Sequence, residues 1–181
     1  MTSPDSELIA RAVVDHDRSA FGALVERHQS SVRHFLRHLT RGDTALADDL
    51  AQETFLQAFR GLASFRGDAT VSTWLLGIAH NHWRNARRQR DRGHLPIDHE
   101  AVSEPSEPAG SRQSDLQHDL AGALRHLERD EQLAIHLNYQ QGLSHSEISA
   151  LLDWPVGTVK THLARGKEKL RQLLAVWNPQ T

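Results

Sequence analysis

Apolar residues recur every three or four positions along much of this 181-residue chain, a pattern that predicts a series of α-helices. A short helix is expected to run from Ser3-Pro4-Asp5 to about Val14, with Ser3 as its N-cap and Pro4 in its first turn. Longer helices are expected from Ser19, from Thr44 with Asp43 as its cap, and from Ser72. Their predicted inward residues are Phe21, Leu24, Val25, His28, Val32, Phe35, Leu36 and Leu39, then Leu46, Leu50, Thr54, Phe55, Ala58 and Phe59, then Trp74, Leu75, Ile78, Ala79, His82 and Trp83.

The periodicity stops between residues 91 and 114, where prolines, glycines and acidic residues are scattered. This composition is typical of a flexible linker. Beyond it, one helix is predicted from Leu116, Leu120, Ala123, Leu124 and Leu127, and a second, capped by Asp130 and ended by Gly142, from Leu133, Ala134, Leu137 and Tyr139. No stretch has the pattern of a strand. The predicted fold class is all-α, with two small helical domains, residues 1–90 and 115–181, joined by the flexible linker 91–114.

The segment from Gly142 to Leu173 predicts two helices separated by a tight turn. Ser144 and Glu147 have the spacing of a capping box, and Asp153-Trp154-Pro155 is expected to end the first helix, because the residue before a proline avoids the α region. Pro155 is expected to open the second helix, whose predicted buried stripe is Val156, Val159, Leu163, Leu170 and Leu173. This arrangement is typical of a helix-turn-helix, in which the second helix enters the major groove of DNA. A helical hairpin with a solvated basic face is the alternative.

The formal net charge of −2 conceals a strong separation of charges along the chain. Arginines concentrate in residues 84–92 and basic residues again in 160–171, whereas acids concentrate in residues 98–115. This pattern favours a nucleic-acid binder that offers acidic patches to a different partner. The absence of cysteine excludes disulfides and thiolate metal sites. Because no signal peptide and no membrane-spanning apolar run are present, a cytoplasmic protein is expected, without membrane insertion.

Three segments, in this order, together resemble the extracytoplasmic-function (ECF) sigma factors of the bacterial sigma-70 family. The first, ADDLAQETFL (residues 47–56), is similar to the family's region-two helix. The second comprises FRGD (65–68), TWL (73–75) and IAHN (78–81). The third comprises GLS (142–144), EI (147–148) and VGTVKT (156–161), and is similar to region four. The resemblance covers nearly the whole chain and implies a non-enzymatic subunit, without a cofactor, that directs RNA polymerase to promoters.

The resemblance also assigns roles to particular residues. Asp49, Gln52 and Glu53 share one helix face by their spacing, and the resemblance implies that this face binds the clamp helices of the largest subunit of core RNA polymerase. The flap region of the polymerase, promoter DNA and an anti-sigma factor are the other implied partners. The implied contacts to the minus-ten element are Phe65, Arg66, Gly67, Asp68, Asn81, Arg84, Arg87 and Arg88. Those to the minus-thirty-five element are Thr158, Lys160, Thr161, His162, Arg165 and Lys169.

Other functions are less favoured by the sequence. A stand-alone helix-turn-helix regulator that does not bind polymerase leaves the Asp49 face and the long N-terminal domain unexplained. A metal-dependent enzyme would need a ligand set among the thirteen histidines. His34 and His38 are four residues apart and His80 and His82 two apart, but no carboxylate or cysteine completes either pair at convincing spacing. No metal site is therefore expected.

Overall fold

The computed structural model describes residues 4–92, 120 and 122–175, which form helices and connecting turns without a strand. The prediction of an all-α fold with two helical domains is confirmed. The chain divides into two compact units, Met1–Val102 and Ser103–Thr181. The predicted linker lies outside the described residues, except for Asp91 and Arg92, which belong to the last helix of the first unit.

The N-terminal unit consists of four α-helices, and α3 continues into a 3₁₀ turn at Leu62–Ser64. The helices are α1 (Asp5–Val14), α2 (Arg18–Leu39), α3 (Thr44–Gly61) and α4 (Val71–Arg92). Asp43 caps α3 as predicted, because its side chain accepts a hydrogen bond from the Leu46 amide at 3.0 Å. The predicted start of α1 was wrong by one position, since Pro4 occupies the N-cap and the helix begins at Asp5.

The core of this unit lies where α2, α3 and α4 pack against one another. Phe35, Leu36 and Leu76 are fully buried there. Thr54 is also buried, and its hydroxyl donates to the Leu50 carbonyl at 2.7 Å, so no polar group is left unsatisfied at this point. Phe59, which was predicted to face inward, is 50% exposed at the edge of the unit, with its ring 5.0 Å from that of Phe21.

In the C-terminal unit, residues 122–125 are helical and three further α-helices follow. They are α5 (Arg129–Ile135), which continues through a π-helical turn at His136–Gln140, α6 (His145–Leu152) and α7 (Val156–Ala175). The predicted cap of α5 was wrong: Glu128 is the N-cap and forms a capping box with Glu131, whereas Asp130 lies in the first turn. Tyr139, predicted as an inward residue, is 57% exposed.

The N-terminus of α6 has the predicted capping box. The Ser144 amide donates to Glu147 at 2.7 Å, and the Glu147 amide donates to the Ser144 hydroxyl at 3.3 Å. At the other end of α6, Asp153 adopts a left-handed conformation with φ of 57°. Val159 and Leu163 of α7 are buried as predicted, but Val156 is 40% exposed, since the first turn of α7 extends beyond the core.

Gly166 allows α7 to approach α5 closely. A Cβ atom at this position would lie 2.6 Å from Cδ1 of Ile135 and 2.9 Å from Cδ2 of Leu127. These distances are shorter than carbon–carbon van der Waals contact, so glycine is the residue that fits without movement of the core. The backbone of α7 therefore packs closely against α5 at Gly166.

Candidate nucleic-acid interface

A pocket of about 480 Å³ lies between the loop after the 3₁₀ turn and one face of α4. Its lining residues are Ser64, Phe65, Arg66, Gly67, Asp68, Ala69, Thr73, Trp74, Gly77, Ile78 and Asn81. The structure thus brings together five of the residues predicted to contact the minus-ten element, four from the loop and Asn81 from the helix. Gly67 has φ of 77°, a conformation that favours glycine and turns the loop.

An aromatic pair forms one wall of this pocket. The rings of Phe65 and Trp74 lie 5.1 Å apart with a tilt of 47°, and both side chains are half-buried. Trp74 was predicted as an inward residue, and it is half-buried, but it also lines the pocket. Helical periodicity placed Trp74 on the inward stripe correctly but carries no information about a cavity beside that stripe.

The predicted arginines continue along α4 beyond the pocket. The guanidinium carbon of Arg87 lies 5.6 Å from the centre of the Trp83 ring, within the range of a cation–π contact. On the same helix, the ring of His80 lies 5.4 Å from that of Trp83. Arg84 is half-buried and Arg88 is exposed. None of these arginines lines the pocket, so the structure places them beside it as a basic helical surface.

The α3 face predicted from spacing is open to solvent. Asp49, Gln52 and Glu53 are all exposed, and they lie on one side of the helix. Leu56 lies on the same side, one turn after Gln52 and Glu53, and is 49% exposed. Leu56 was not predicted as part of this surface, although its spacing from Asp49, Gln52 and Glu53 is a signal that identifies it.

On α7, three of the predicted residues share one outward face. Thr158, Thr161 and Arg165 follow at spacings of three and four, with Thr161 and Arg165 exposed. The Thr161 hydroxyl donates to the Gly157 carbonyl at 2.9 Å, so its methyl group is the part of the side chain available for outward contacts. Lys160 is exposed but lies on a different side of the helix, because residues two positions apart do not face each other.

His162 differs from its neighbours because its ring is half-buried against the turn. It lies 5.2 Å from the ring of Trp154, and its Nδ1 atom is buried without a hydrogen-bond partner. The backbone of Trp154 is fixed by Ser149, whose hydroxyl donates to the Trp154 carbonyl at 2.5 Å. Trp154 therefore connects the turn of the helix-turn-helix to His162 on α7.

Lys169 forms an ion pair with a carboxylate inside the C-terminal unit. Its Nζ atom lies 2.8 Å and 3.0 Å from the two carboxylate oxygens of Glu131, a residue that is only 2% exposed. Burial alone would raise the pKa of Glu131, but the hydrogen bonds from Lys169 and the Glu128 amide outweigh it, so the pKa is lowered. A buried glutamate paired across two helices carries no periodic signal, so the role of Glu131 was not predicted from the sequence.

Among the described residues, no group of three or more histidine, cysteine, aspartate or glutamate side chains is placed to hold a metal ion. The rings of His34 and His38 lie 4.9 Å apart, edge to face. In the part of the chain that the structure describes, no helix has both the length and the apolar character needed to span a bilayer.

Two family models match this chain. Residues 24–93 match sigma-70 region 2, and residues 117–170 match sigma-70 region 4. The first match contains the pocket and the α3 face, and the second contains the helix-turn-helix. The segments recognised in the sequence therefore coincide with the two regions that the family models describe.

Similar proteins cover nearly the full length of the chain. The ECF RNA polymerase sigma-E factor of Haemophilus influenzae is 32% identical over 181 aligned residues, which cover 92% of this chain and 93% of the relative. The sigma-E factor of Escherichia coli is 32% identical over 177 residues, covering 91% of each. The solved structure of the sigma factor RpoE with the anti-sigma factor NepR from Bartonella quintana has 25% identity and a TM-score of 0.60, covering 86% of this chain and 97% of that one. CnrH in complex with the cytosolic domain of CnrY has 28% identity and a TM-score of 0.54, covering 95% and 97%.

Proposed function

The chain belongs to the ECF sigma factors of the sigma-70 family, and we propose that each of its two units recognises a different promoter element for core RNA polymerase. The N-terminal unit captures the melted minus-ten strand, and the C-terminal unit reads the minus-thirty-five duplex. The pocket beside α4 is the observation that carries this proposal. The protein supplies recognition, while the polymerase supplies the chemistry of RNA synthesis.

The pocket has the chemistry needed to hold a base that has left the duplex. Phe65 and Trp74 offer aromatic surface on which a base can stack, and stacking is worth about 1–3 kcal/mol per base. Asp68 and Asn81 place an acceptor and an amide at the same pocket, where they can read the edge of a base. The basic surface that follows on α4 is then placed to contact phosphates of the same strand.

The outward side of α3 is the proposed contact for core polymerase. Its acidic and amide groups suit a basic helical partner, and Leu56, one turn further along the helix, adds apolar area to the surface. An interface of this kind has an apolar core with a polar rim. We assign Asp49, Gln52 and Glu53 to the rim and Leu56 to the core.

On α7, the face of Thr158, Thr161 and Arg165 is the proposed reader of the minus-thirty-five duplex. Arginine suits the O6 and N7 atoms of guanine, and the threonine methyl suits the methyl group of thymine. Lys160, on another side of the helix, is assigned to a phosphate. We do not assign Lys169 to DNA, because its ammonium group is paired with Glu131. His162, which lies beside Trp154, is assigned to the edge of the DNA-reading face of α7.

An anti-sigma factor is a further proposed partner. The solved structures of two similar proteins are complexes, one with the anti-sigma factor NepR and one with the cytosolic domain of CnrY. An inhibitor of this chain would act by covering the surfaces that bind polymerase or DNA. Residues 93–119 and 121 lie outside the described part of the chain, so the proposal rests on the two units individually.

Charge reversal on α3 tests the proposed polymerase contact. The double variant Asp49→Lys with Glu53→Lys should no longer co-migrate with core polymerase in gel filtration, because it places positive charge against a basic partner. The matched control is Asp15→Lys with Glu26→Lys, which makes the same change in net charge at exposed positions outside α3. Equal binding by both variants would exclude this face, and failure of the wild type to bind polymerase would favour a stand-alone regulator.

A further inference from the structure

Gly77 lies within α4 at a position where neither packing nor backbone geometry requires glycine. Its φ angle is not among the positive values of the described residues, and a Cβ atom built at this position would meet no heavy atom within 4 Å apart from its chain neighbours and the backbone of its own helix. Glycine is among the least favourable residues in a helix interior. Glycine therefore lowers the stability of α4 at this position, and neither packing nor backbone geometry in the free protein explains its presence.

The place of Gly77 in the pocket supplies a reason. Gly77 is one of the lining residues, between Trp74 and Asn81 on the same helix face. Because its Cβ would enter empty space, any larger side chain there would occupy volume that is now open. Glycine also permits a ligand to approach the helix backbone closely. The residue thus leaves open the space beside α4 that a larger side chain would fill.

The side chains that line the pocket around Gly77 favour a flat, nitrogen-rich ring system as the ligand. The tilted Phe65–Trp74 pair offers stacking area, and a larger ring system covers more of it. Asp68 contributes an acceptor-only carboxylate and Asn81 both a donor and an acceptor, which together suit the amino and ring-nitrogen edges of a nucleobase.

We propose that Gly77 sizes this pocket for a two-ring base, so that an unpaired purine in the minus-ten region is held more tightly than a pyrimidine at the same position. The inference rests on the proposed capture of a minus-ten base and adds the size class of that base. Discrimination by pocket size is limited, and one methylene group of misfit changes binding about 10–200-fold.

Substitution of Gly77 by leucine tests the inference in the complex with core polymerase. Binding is measured on promoter fragments whose minus-ten region is held open by mismatches, with each of the four bases placed in turn at each unpaired position. The wild type should prefer a purine at one position. Gly77→Leu should weaken the purine complexes about tenfold and leave the pyrimidine complexes nearly unchanged, because leucine fills the space of the second ring.

Gly22→Leu is the matched control. Gly22 lies in the interior of α2, is exposed, and also has nothing within 4 Å of a built Cβ atom, so it reports the effect of replacing a helical glycine alone. It should leave base preference unchanged. A second variant, Gly77→Ala, should raise thermal stability while lowering the purine preference in part, which separates pocket volume from misfolding.

Three results distinguish the failure of this inference from the failure of base capture. If Gly77→Leu weakens all four bases equally, or if the purine preference persists in it, size selection is refuted while capture stands. If the wild-type complex binds all four bases equally at every unpaired position, size selection is likewise refuted, because stacking alone tolerates any base. If an abasic nucleotide placed in turn at each unpaired position binds as tightly as a base, the proposed capture itself fails and the inference fails with it.

Discussion

The ion pair between Lys169 and Glu131 provides the sharpest test of how α7 is held in place. Replacing Lys169 with methionine keeps most of the aliphatic volume but removes the ammonium group that satisfies the buried carboxylate. Removal of one partner from a buried pair costs about 3–5 kcal/mol. Lys169 is partly exposed, with 38% of its side chain accessible, and Glu131 keeps its hydrogen bond from the Glu128 amide. We therefore expect a loss of about 2 kcal/mol, close to that of one charged hydrogen bond.

Native-state hydrogen exchange localises this loss to the C-terminal unit. A change of about 2 kcal/mol corresponds to roughly a 30-fold fall in protection for the α5 and α7 amides that exchange through unfolding of the unit. Lys160→Met is the control, because Lys160 is an exposed lysine on the same helix, and it should change protection by less than about 0.5 kcal/mol. Equal effects of the two variants would refute the structural role assigned to the pair.

The same pair predicts a dependence on pH. The pKa of Glu131 is lowered in the folded state, so its contribution to stability is present above the pKa of the unfolded chain and is lost as the pH falls through the folded-state value. The stability difference between the wild type and Lys169→Met should therefore be greatest near neutral pH and shrink in acid. A difference that grew in acid would contradict the assignment of an ionised Glu131.

Three further predictions concern individual contacts. Trp83→Leu should weaken DNA binding by about threefold, because it removes roughly 0.5–1 kcal/mol of cation–π interaction with Arg87. In an Arg87→Ala background the same substitution should change DNA affinity little. Fully additive effects in this double-mutant cycle would show that Trp83 does not position Arg87. Ser144→Ala should destabilise the C-terminal unit by about 1 kcal/mol through loss of the α6 cap, measured by urea unfolding, and an unchanged midpoint would contradict it. Arg165→Ala should change base preference in a randomised promoter library, whereas Lys160→Ala should lower affinity uniformly and reduce the salt slope by about one; identical profiles would refute the division between them.

Local signals in the sequence predicted the helices and two of their caps. Asp43 and the Ser144–Glu147 box act within one helical turn, so residue type and spacing are sufficient to recognise them. The cap of α5 was assigned wrongly to Asp130, because three acidic residues lie close together in the sequence and only the backbone shows that Glu128 is the last non-helical residue before the helix.

Burial was predicted less well where it depends on distant parts of the chain. Phe59, Tyr139 and Val156 fit a helical stripe, but each extends beyond the surface that a neighbouring helix covers, and each is at least 40% exposed. The pocket beside Trp74 arises from the meeting of a loop and a helix, which periodicity does not describe. The loop residues were identified through family resemblance, whereas the contribution of Gly77 required the structure.

Promoter-specific transcription by reconstituted polymerase tests the central claim most directly. Purified core RNA polymerase is incubated with this protein and a library of genomic fragments, and the transcripts are sequenced from their 5′ ends. We predict start sites that require the protein and share a two-part promoter, and that are lost in the Asp49→Lys, Glu53→Lys double variant but kept in the Asp15→Lys, Glu26→Lys control. Transcription that is the same with and without the protein would contradict its assignment as a promoter-recognition subunit.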